Sequence, residues 1–322
     1  MAREESGEVY HYRAYEILLE SALPCPELFP SVQDIPSPDV TVRLGNVTEL
    51  NNPTVSTPCY QLSPHEFLLK VKDTANYLVR GGREIVIDPH QDARPEKVRL
   101  FLLGSAMGAL LYQRGHFPLH GSAIETPSGA MVFVGPCGIG KSTLAAHFKR
   151  RGYRLLCDDI CVVVRNAAGQ LLIFPALPQL RLCADTFERL GEPAGTPVPA
   201  RFDIDKYALP VGRSYCPEPR NLAAIHVLAS HEHPEVILEP LHGFDSLKHL
   251  LSNLYRPEFL RGLAGKENVM HLAHVIARKA TIMKVTHGKN ADRIDELIDR
   301  LESEWHRHNY INSKRRNGSA SI

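Results

Sequence analysis

Residues 131–143 read MVFVGPCGIGKST, and this stretch decides the fold. Positions 135–142 satisfy the Walker A pattern G-x-x-x-x-G-K-[ST] at every fixed position. The apolar run MVFV, typical of a buried strand, precedes the pattern, and STLAAHFKRRG, typical of a helix, follows it. A phosphate-binding loop requires this order of strand, loop and helix. The alternative is a glycine turn that binds nothing, and it does not account for this context. The segment therefore predicts an α/β core that binds a nucleotide.

The residue types of this loop suit phosphate binding. Glycines let the backbone approach the phosphates closely, and the N–H groups and the helix N-terminus favour anions. Lys141 is expected to neutralise charge on the β- and γ-phosphates, Ser142 to coordinate Mg²⁺, and Thr143 to support the loop from the helix. The predicted nucleotide-binding residues are Gly135, Pro136, Cys137, Gly138, Ile139, Gly140, Lys141, Ser142 and Thr143.

Two adjacent carboxylates follow the loop. The next predicted strand, YRLLCDD, ends in Asp158 and Asp159, where it should reach the phosphates. One carboxylate suffices for Mg²⁺, and the second is available to accept a proton from an attacking hydroxyl, as kinases require. A solvated strand end or a helix cap is the structural alternative.

The rest of the chain divides around this core. Four runs before it alternate like strands, and the last of them, NYLVRGGREIVID, is divided by Gly81-Gly82 as a hairpin turn. Residues 94–113 have helical periodicity. We predict a smaller β-rich N-terminal domain with a connecting helix at 1–115, a catalytic domain at 116–310 and an unstructured tail at 311–322. A surface loop is expected at 191–210, which is rich in Pro, Gly and charge. A last helix, starting near Asn290, has one apolar face, formed by Ile294, Leu297, Ile298, Leu301 and Trp305.

Composition excludes several classes of partner. Lys plus Arg number 37 and Asp plus Glu number 36, so the chain carries no basic footprint for nucleic acid or an anionic membrane. The longest strongly apolar run, 100–112, is shorter than a membrane span, and MAREESGE does not have a signal-peptide pattern. We expect a cytoplasmic protein. The seven cysteines contain no C-x-x-C pair, which argues against a zinc site or a disulfide framework.

Residues 119–159, LHGSAIETPSGAMVFVGPCGIGKSTLAAHFKRRGYRLLCDD, resemble the catalytic domain of the HPr kinase/phosphorylase family. That family combines an upstream His-Gly, a P-loop and a downstream R-G-[HY]-R-L-x-x-D-D. The resemblance implies a P-loop kinase core of HPr-kinase type. It also implies that Asp158 is the general base, that Asp159 is a carboxylate on the Mg²⁺ side, and that His120 lies near the γ-phosphate. The residues alone instead favour a structural histidine that closes the turn before MVFVG.

The chain departs from the family pattern in two places. The E-I-R-G-L-G signature is absent, and FPALPQLRLCAD (174–185) stands roughly in its place, with Arg181 as either a phosphate contact or a surface residue. The N-terminal part looks more like the stand-alone HPr-kinase-like proteins of peptide-modification gene clusters, some of which phosphorylate the C-terminal serine of lasso-peptide precursors. Arg201 and Lys206 are candidates for a loop that closes on the acceptor, or belong to a solvated loop.

Together these features predict an ATP- and Mg²⁺-dependent phosphotransferase. Its catalytic residues would be Asp158, His120 and Lys141, and its acceptor the serine hydroxyl of a peptide or small protein, such as a lasso-peptide precursor or HPr. The alternatives are a small-molecule kinase acting on free serine and a non-catalytic assembly factor that uses ATP as a switch. The acceptor's identity, phosphorolysis and homo-oligomer formation stay open.

Overall fold

The structure is a computed structural model that describes residues 8–31, 37–191, 195–198, 206–288 and 293–318. Side chains are described as far as residue 307. These residues form a mixed α/β protein with three sheets, which confirms the predicted fold class. Within the described residues, no helix combines the length and the apolar character needed to cross a bilayer.

The N-terminal module, residues 8–113, contains a sheet of nine strands in the order β3-β1-β2-β4-β9-β8-β7-β6-β5. The pairs β2–β4 and β4–β9 are parallel, and the other pairs are antiparallel. The predicted hairpin is confirmed, since Gly81 and Gly82 have φ of 55° and 66° between β8 and β9. The strands are β1 (Tyr10–Ala14), β2 (Ile17–Ser21), β3 (Phe29–Pro30), β4 (Val40–Leu44), β5 (Val55–Ser56), β6 (Tyr60–Ser63), β7 (Glu66–Val71), β8 (Ala75–Arg80) and β9 (Glu84–Pro89).

A long helical stretch joins this module to the rest of the chain. It comprises α1 (Pro95–Phe101), a π-helical turn (Leu102–Ala106) and α2 (Met107–Gln113). Arg94 is the N-cap and proline occupies the first turn, where its missing N–H costs nothing. The helix predicted over 94–113 is therefore confirmed.

The second sheet has seven strands in the order β11-β10-β12-β13-β17-β19-β18, and an additional pairing of β11 with β17 closes five of them into a ring. A third sheet has the order β14-β16-β15. The strands are β10 (Phe117–Thr126), β11 (Gly129–Val134), β12 (Arg154–Arg165), β13 (Leu171–Ile173), β14 (Gln179–Cys183), β15 (Thr196–Val198), β16 (Lys206–Pro210), β17 (Arg220–His231), β18 (Ile237–Pro240) and β19 (Thr281–Gly288). The described part of 191–210 thus forms β15 and β16, where the sequence predicted a loop.

The other helices follow the P-loop in the chain. They are α3 (Lys141–Arg150), α4 (Ala184–Leu190), α5 (Gly243–Ser252), α6 (Lys266–Lys279) and α7 (Ile294–Gly318), with 3-10 turns at Gly212–Ser214 and Pro257–Arg261. Trp305 of α7 stacks on Phe148 of α3 with ring centroids 5.1 Å apart, as its predicted apolar face requires. The backbone stays helical to Gly318, where the sequence predicted an unstructured tail from residue 311; residues 319–322 lie outside the described residues.

The main hydrophobic core is continuous between the N-terminal module and the second sheet. It includes Tyr15 and Ile85 from the module, Leu110 from α2 and Val132 from β11. The backbone N–H of Tyr15 also donates to the Pro175 carbonyl over 3.0 Å. The turn between β1 and β2 is therefore anchored against the part of the chain that carries the P-loop.

Candidate active site

The P-loop leaves β11 and opens α3. Gly135 has φ of 150°, and a Cβ there would lie 2.7 Å from the Leu228 carbonyl oxygen of β17. Gly140, the N-cap of α3, has φ of 98°. Residues with a side chain rarely adopt these backbone angles, so the shape of the loop requires glycine at both positions.

Lys141 is the buried cation of the loop. Only 7% of it is exposed, and its Nζ donates to the carbonyl oxygens of Gly135 and Pro136, each over 2.9 Å. Burial lowers the pKa of Lys141 below its usual value. The ammonium group is thus held by backbone contacts inside the loop.

Asp158 of β12 is hydrogen-bonded to residues of α3, β10 and β14. Its Oδ1 accepts hydrogen bonds from Ser142 Oγ over 2.9 Å and Ser122 Oγ over 2.5 Å, and its Oδ2 accepts from the Arg181 backbone N–H over 2.8 Å. The residue is only 5% exposed. The sequence analysis assigned Ser142 and Asp159 to Mg²⁺ binding. In the structure the Ser142 hydroxyl is instead hydrogen-bonded to Asp158.

Asp159 has a left-handed backbone, with φ of 73°, in the middle of β12. In a regular strand the side chains of two adjacent residues point to opposite faces. Both aspartates nevertheless line the same cleft, together with His120 and Lys141. The unusual backbone angle at Asp159 accompanies this arrangement and is the kind of local strain that functional sites retain.

Arg181 and His120 flank the Asp159 carboxylate. Arg181 Nη1 donates to Oδ2 over 3.1 Å, and His120 Nδ1 lies 3.4 Å from Oδ1 and 3.0 Å from the Asp159 carbonyl oxygen. His120 lies within β10, where it pairs with Ile160 of β12, and it does not close the turn before β11. Asp158 and Asp159 therefore have different partners although they are neighbours.

Most of the predicted site residues line one cleft of about 110 Å³. The predicted members are His120, Cys137, Gly138, Gly140, Lys141, Ser142, Thr143, Asp158, Asp159, Arg181 and Lys206. Ile139 instead lines an adjoining cleft of about 240 Å³, while Gly135 and Pro136 hold Lys141. Arg201 lies outside the described residues.

Comparison with known proteins adds a partial match. The HPr kinase/phosphorylase of Chloroherpeton thalassium (strain ATCC 35110 / GB-78) is 38% identical over 53 residues. The chain resembles the HPr kinase/phosphorylase family. The matched segment covers 16% of this chain and 16% of that relative, and no family model matches.

The structure of the Hpr(Ser) kinase/phosphatase from Coxiella burnetii aligns with 64% of this chain and 99% of its own, at 12% identity and a TM-score of 0.35.

The HPr-kinase resemblance did not single out Ser122. This residue lies opposite Asp158 in the pairing of β10 with β12, and its side chain is fully buried. It belongs to the quoted H-G-S-A run, but a lone serine in a strand carries no sequence pattern that predicts a contact with a carboxylate 36 residues away.

The donor atoms fit a magnesium ion. Within the described residues, no group of three or more His, Cys, Asp or Glu side chains could hold a metal. Ser142 and Asp158 do supply adjacent oxygen ligands, and Mg²⁺ is usually bound by one or two protein carboxylates together with phosphate oxygens and water.

Proposed function

We propose that the protein is an ATP- and Mg²⁺-dependent kinase that transfers the γ-phosphate to a serine hydroxyl of a peptide or small protein. The observation that supports this most directly is the pair Asp158 and Asp159 beside the P-loop. One carboxylate contacts the P-loop serine and the other contacts Arg181 and His120. A kinase needs these two carboxylate roles, whereas a nucleotide switch can dispense with the second.

The nucleotide would occupy the two adjoining clefts. Its phosphates would lie in the P-loop, where Lys141 offsets their charge. The neighbouring cleft continues past Ile139 and is lined by the apolar side chains of Leu144, Leu228 and Val236. Apolar walls of this kind suit a flat base.

Ser142 and Asp158 would hold the metal. Their side-chain oxygens are the hard ligands that Mg²⁺ prefers, and P-loop proteins commonly combine a loop serine with a strand aspartate. When bound, Mg²⁺ offsets charge on the β- and γ-phosphate oxygens. This assignment reverses the roles that the resemblance implied for the two aspartates.

Asp159 would then accept the proton of the attacking serine hydroxyl. Its side chain is 21% exposed, so an acceptor can reach it more readily than it can reach Asp158. His120 would orient Asp159, and the Arg181 guanidinium would face the transferring phosphoryl oxygens, where a fixed positive charge stabilises the transition state.

A transfer assay tests the proposal and separates its rivals. The protein is incubated with γ-labelled ATP and Mg²⁺ in the presence of free serine, HPr, or a precursor peptide encoded beside its gene. Label on serine of a peptide or protein is expected, and it should disappear with Asp159→Asn. Label only on free serine would contradict the peptide acceptor. ATP binding without transfer to any acceptor would favour the assembly-factor alternative.

A further inference from the structure

A separate cleft of about 500 Å³ lies between the N-terminal module and the third sheet. The module contributes Glu27, Arg94 and Arg99, and the third sheet contributes Gln179 and Pro197. Its volume is within the range of about 300–1,000 Å³ that is typical of ligand sites. We call it the module groove.

The module groove adjoins the candidate active site through one residue. Arg181 lines both the module groove and the cleft that contains Lys141. Its backbone N–H bonds Asp158, and its guanidinium bonds Asp159. A chain lying in the module groove would thus lead directly to the two carboxylates.

The charges in the module groove leave one guanidinium accessible. Arg99 is held by two hydrogen bonds to Glu27, of 2.9 and 3.0 Å, and the side chains are 16% and 23% exposed. Arg181 is paired with Asp159. Arg94 is 73% exposed, and its Nε donates to Glu96, which also lines the module groove, over 2.7 Å. A surface pair of this type is weak in water.

The wall formed by β15 limits how a peptide can be held. β15 is a three-residue edge strand, and its central residue is Pro197. Proline has no backbone N–H and is typical of edges that do not pair with another strand. Recognition in the module groove must therefore rely on side chains more than on extension of the sheet.

We infer that the module groove binds the acceptor: an extended peptide segment with an acidic residue close to the phosphorylated serine, which Arg94 recognises. This inference rests on the proposed function, because it names the surface that presents the serine to Asp159. It assigns a substrate-binding role to the N-terminal module, which supplies Arg94 but none of the P-loop residues.

The probe is a synthetic peptide library with a fixed central serine and three degenerate positions on each side. The full-length protein phosphorylates the library with ATP and Mg²⁺, and the phosphopeptides are sequenced. We expect Asp and Glu to be enriched beside the serine. Arg94→Glu should lower the ratio of acidic to basic residues at those positions about fivefold, the size expected when an exposed charge contact is lost.

Arg83→Glu is the matched control, since Arg83 is exposed on the same module and does not line the module groove. It should leave the enrichment unchanged, and both variants should bind a fluorescent ATP analogue like the wild type. Phosphopeptides without acidic enrichment, or enrichment that Arg94→Glu does not alter, would overturn the inference that the module groove binds the acceptor. Neither result would contradict the proposed kinase activity.

Two other outcomes are also decisive. If the library stays unlabelled although ATP binds normally, the proposal that the acceptor is a peptide is wrong. The inference that the module groove binds that peptide is then wrong as well. A second copy of the chain is the competing occupant: a dimer in sedimentation experiments that Arg94→Glu dissociates, but Arg83→Glu does not, would overturn the inference in favour of self-association.

Discussion

The Ser142 hydroxyl donates a hydrogen bond to the Asp158 carboxylate over 2.9 Å, and this contact distinguishes two neighbouring aspartates. Asp158 is bound to the P-loop serine, whereas Asp159 contacts Arg181 and His120. The residue types alone offer two carboxylates of the same chemistry, and the family resemblance implied the base for Asp158 and the Mg²⁺ side for Asp159. The contact supports the different roles proposed for them and leads to the first prediction.

Asp158→Asn should raise the Mg²⁺ concentration needed for half-maximal activity, because a metal-side carboxylate is lost. Asp159→Asn should leave that concentration near the wild-type value and lower kcat by about 10²–10⁴-fold, the usual contribution of a general base. Initial rates over a Mg²⁺ titration check both. If Asp159→Asn alone shifted the metal dependence, the two roles would have to be exchanged.

Lys141→Ala should abolish tight ATP binding and phosphoryl transfer, because it removes the buried cation of the P-loop. Binding of a fluorescent ATP analogue and ADP release measure the two effects separately. Arg150→Ala provides the control, since Arg150 is exposed at the end of the same helix and should be close to neutral. Undiminished turnover of Lys141→Ala in a pure preparation would refute the P-loop assignment.

Tyr15→Phe should leave the free energy of unfolding unchanged or raise it by up to about 1 kcal/mol, since an unsatisfied buried polar group is costly. Tyr15 is 1% exposed, and its hydroxyl makes no hydrogen bond with the described residues. Burial raises the pKa of Tyr15 well above its usual value, so the hydroxyl stays neutral. Urea denaturation measures the change.

Tyr112→Phe is the matched comparison for Tyr15→Phe. The Tyr112 hydroxyl is also buried, but it donates to the Tyr255 carbonyl over 2.7 Å. Its removal should cost about 1 kcal/mol, because a satisfied hydrogen bond is lost. Equal destabilisation by the two variants would mean that the Tyr15 hydroxyl has a partner in solution.

Stability should fall as the pH drops from about 6.5 towards 4, partly because of His116. Burial lowers the pKa of His116 from 6.5 to about 4. Below pH 6.5 the unfolded chain therefore binds a proton that the folded protein does not take up, and the loss reaches about 3 kcal/mol near pH 4. Above pH 6.5 this residue contributes no pH dependence.

His116→Asn should flatten that part of the profile relative to the wild type, as measured by urea denaturation at pH 7, 6 and 5. His274→Asn, at an exposed position on α6, should leave the slope as it is. Parallel profiles for the wild type and His116→Asn would show that His116 titrates normally in the folded protein.

The sequence by itself determined the local features of this protein. The P-loop, the hairpin at Gly81-Gly82, the helix over 94–113 and the apolar face of α7 all follow from residue type and spacing within one segment. Glycine conformation, turn chemistry and hydrophobic periodicity act over a few residues, so they can be recognised without knowledge of the rest of the chain.

Only the tertiary structure decided how the site is completed. Ser122 meets Asp158 through the register of β10 with β12, and Arg181 reaches Asp159 from β14. The left-handed backbone of Asp159 lies within a continuous pairing of residues 158–160 with β10. The module groove likewise joins residues that are far apart in the sequence, such as Glu27 and Pro197. Such contacts depend on where distant strands lie after folding, and no local pattern encodes that position.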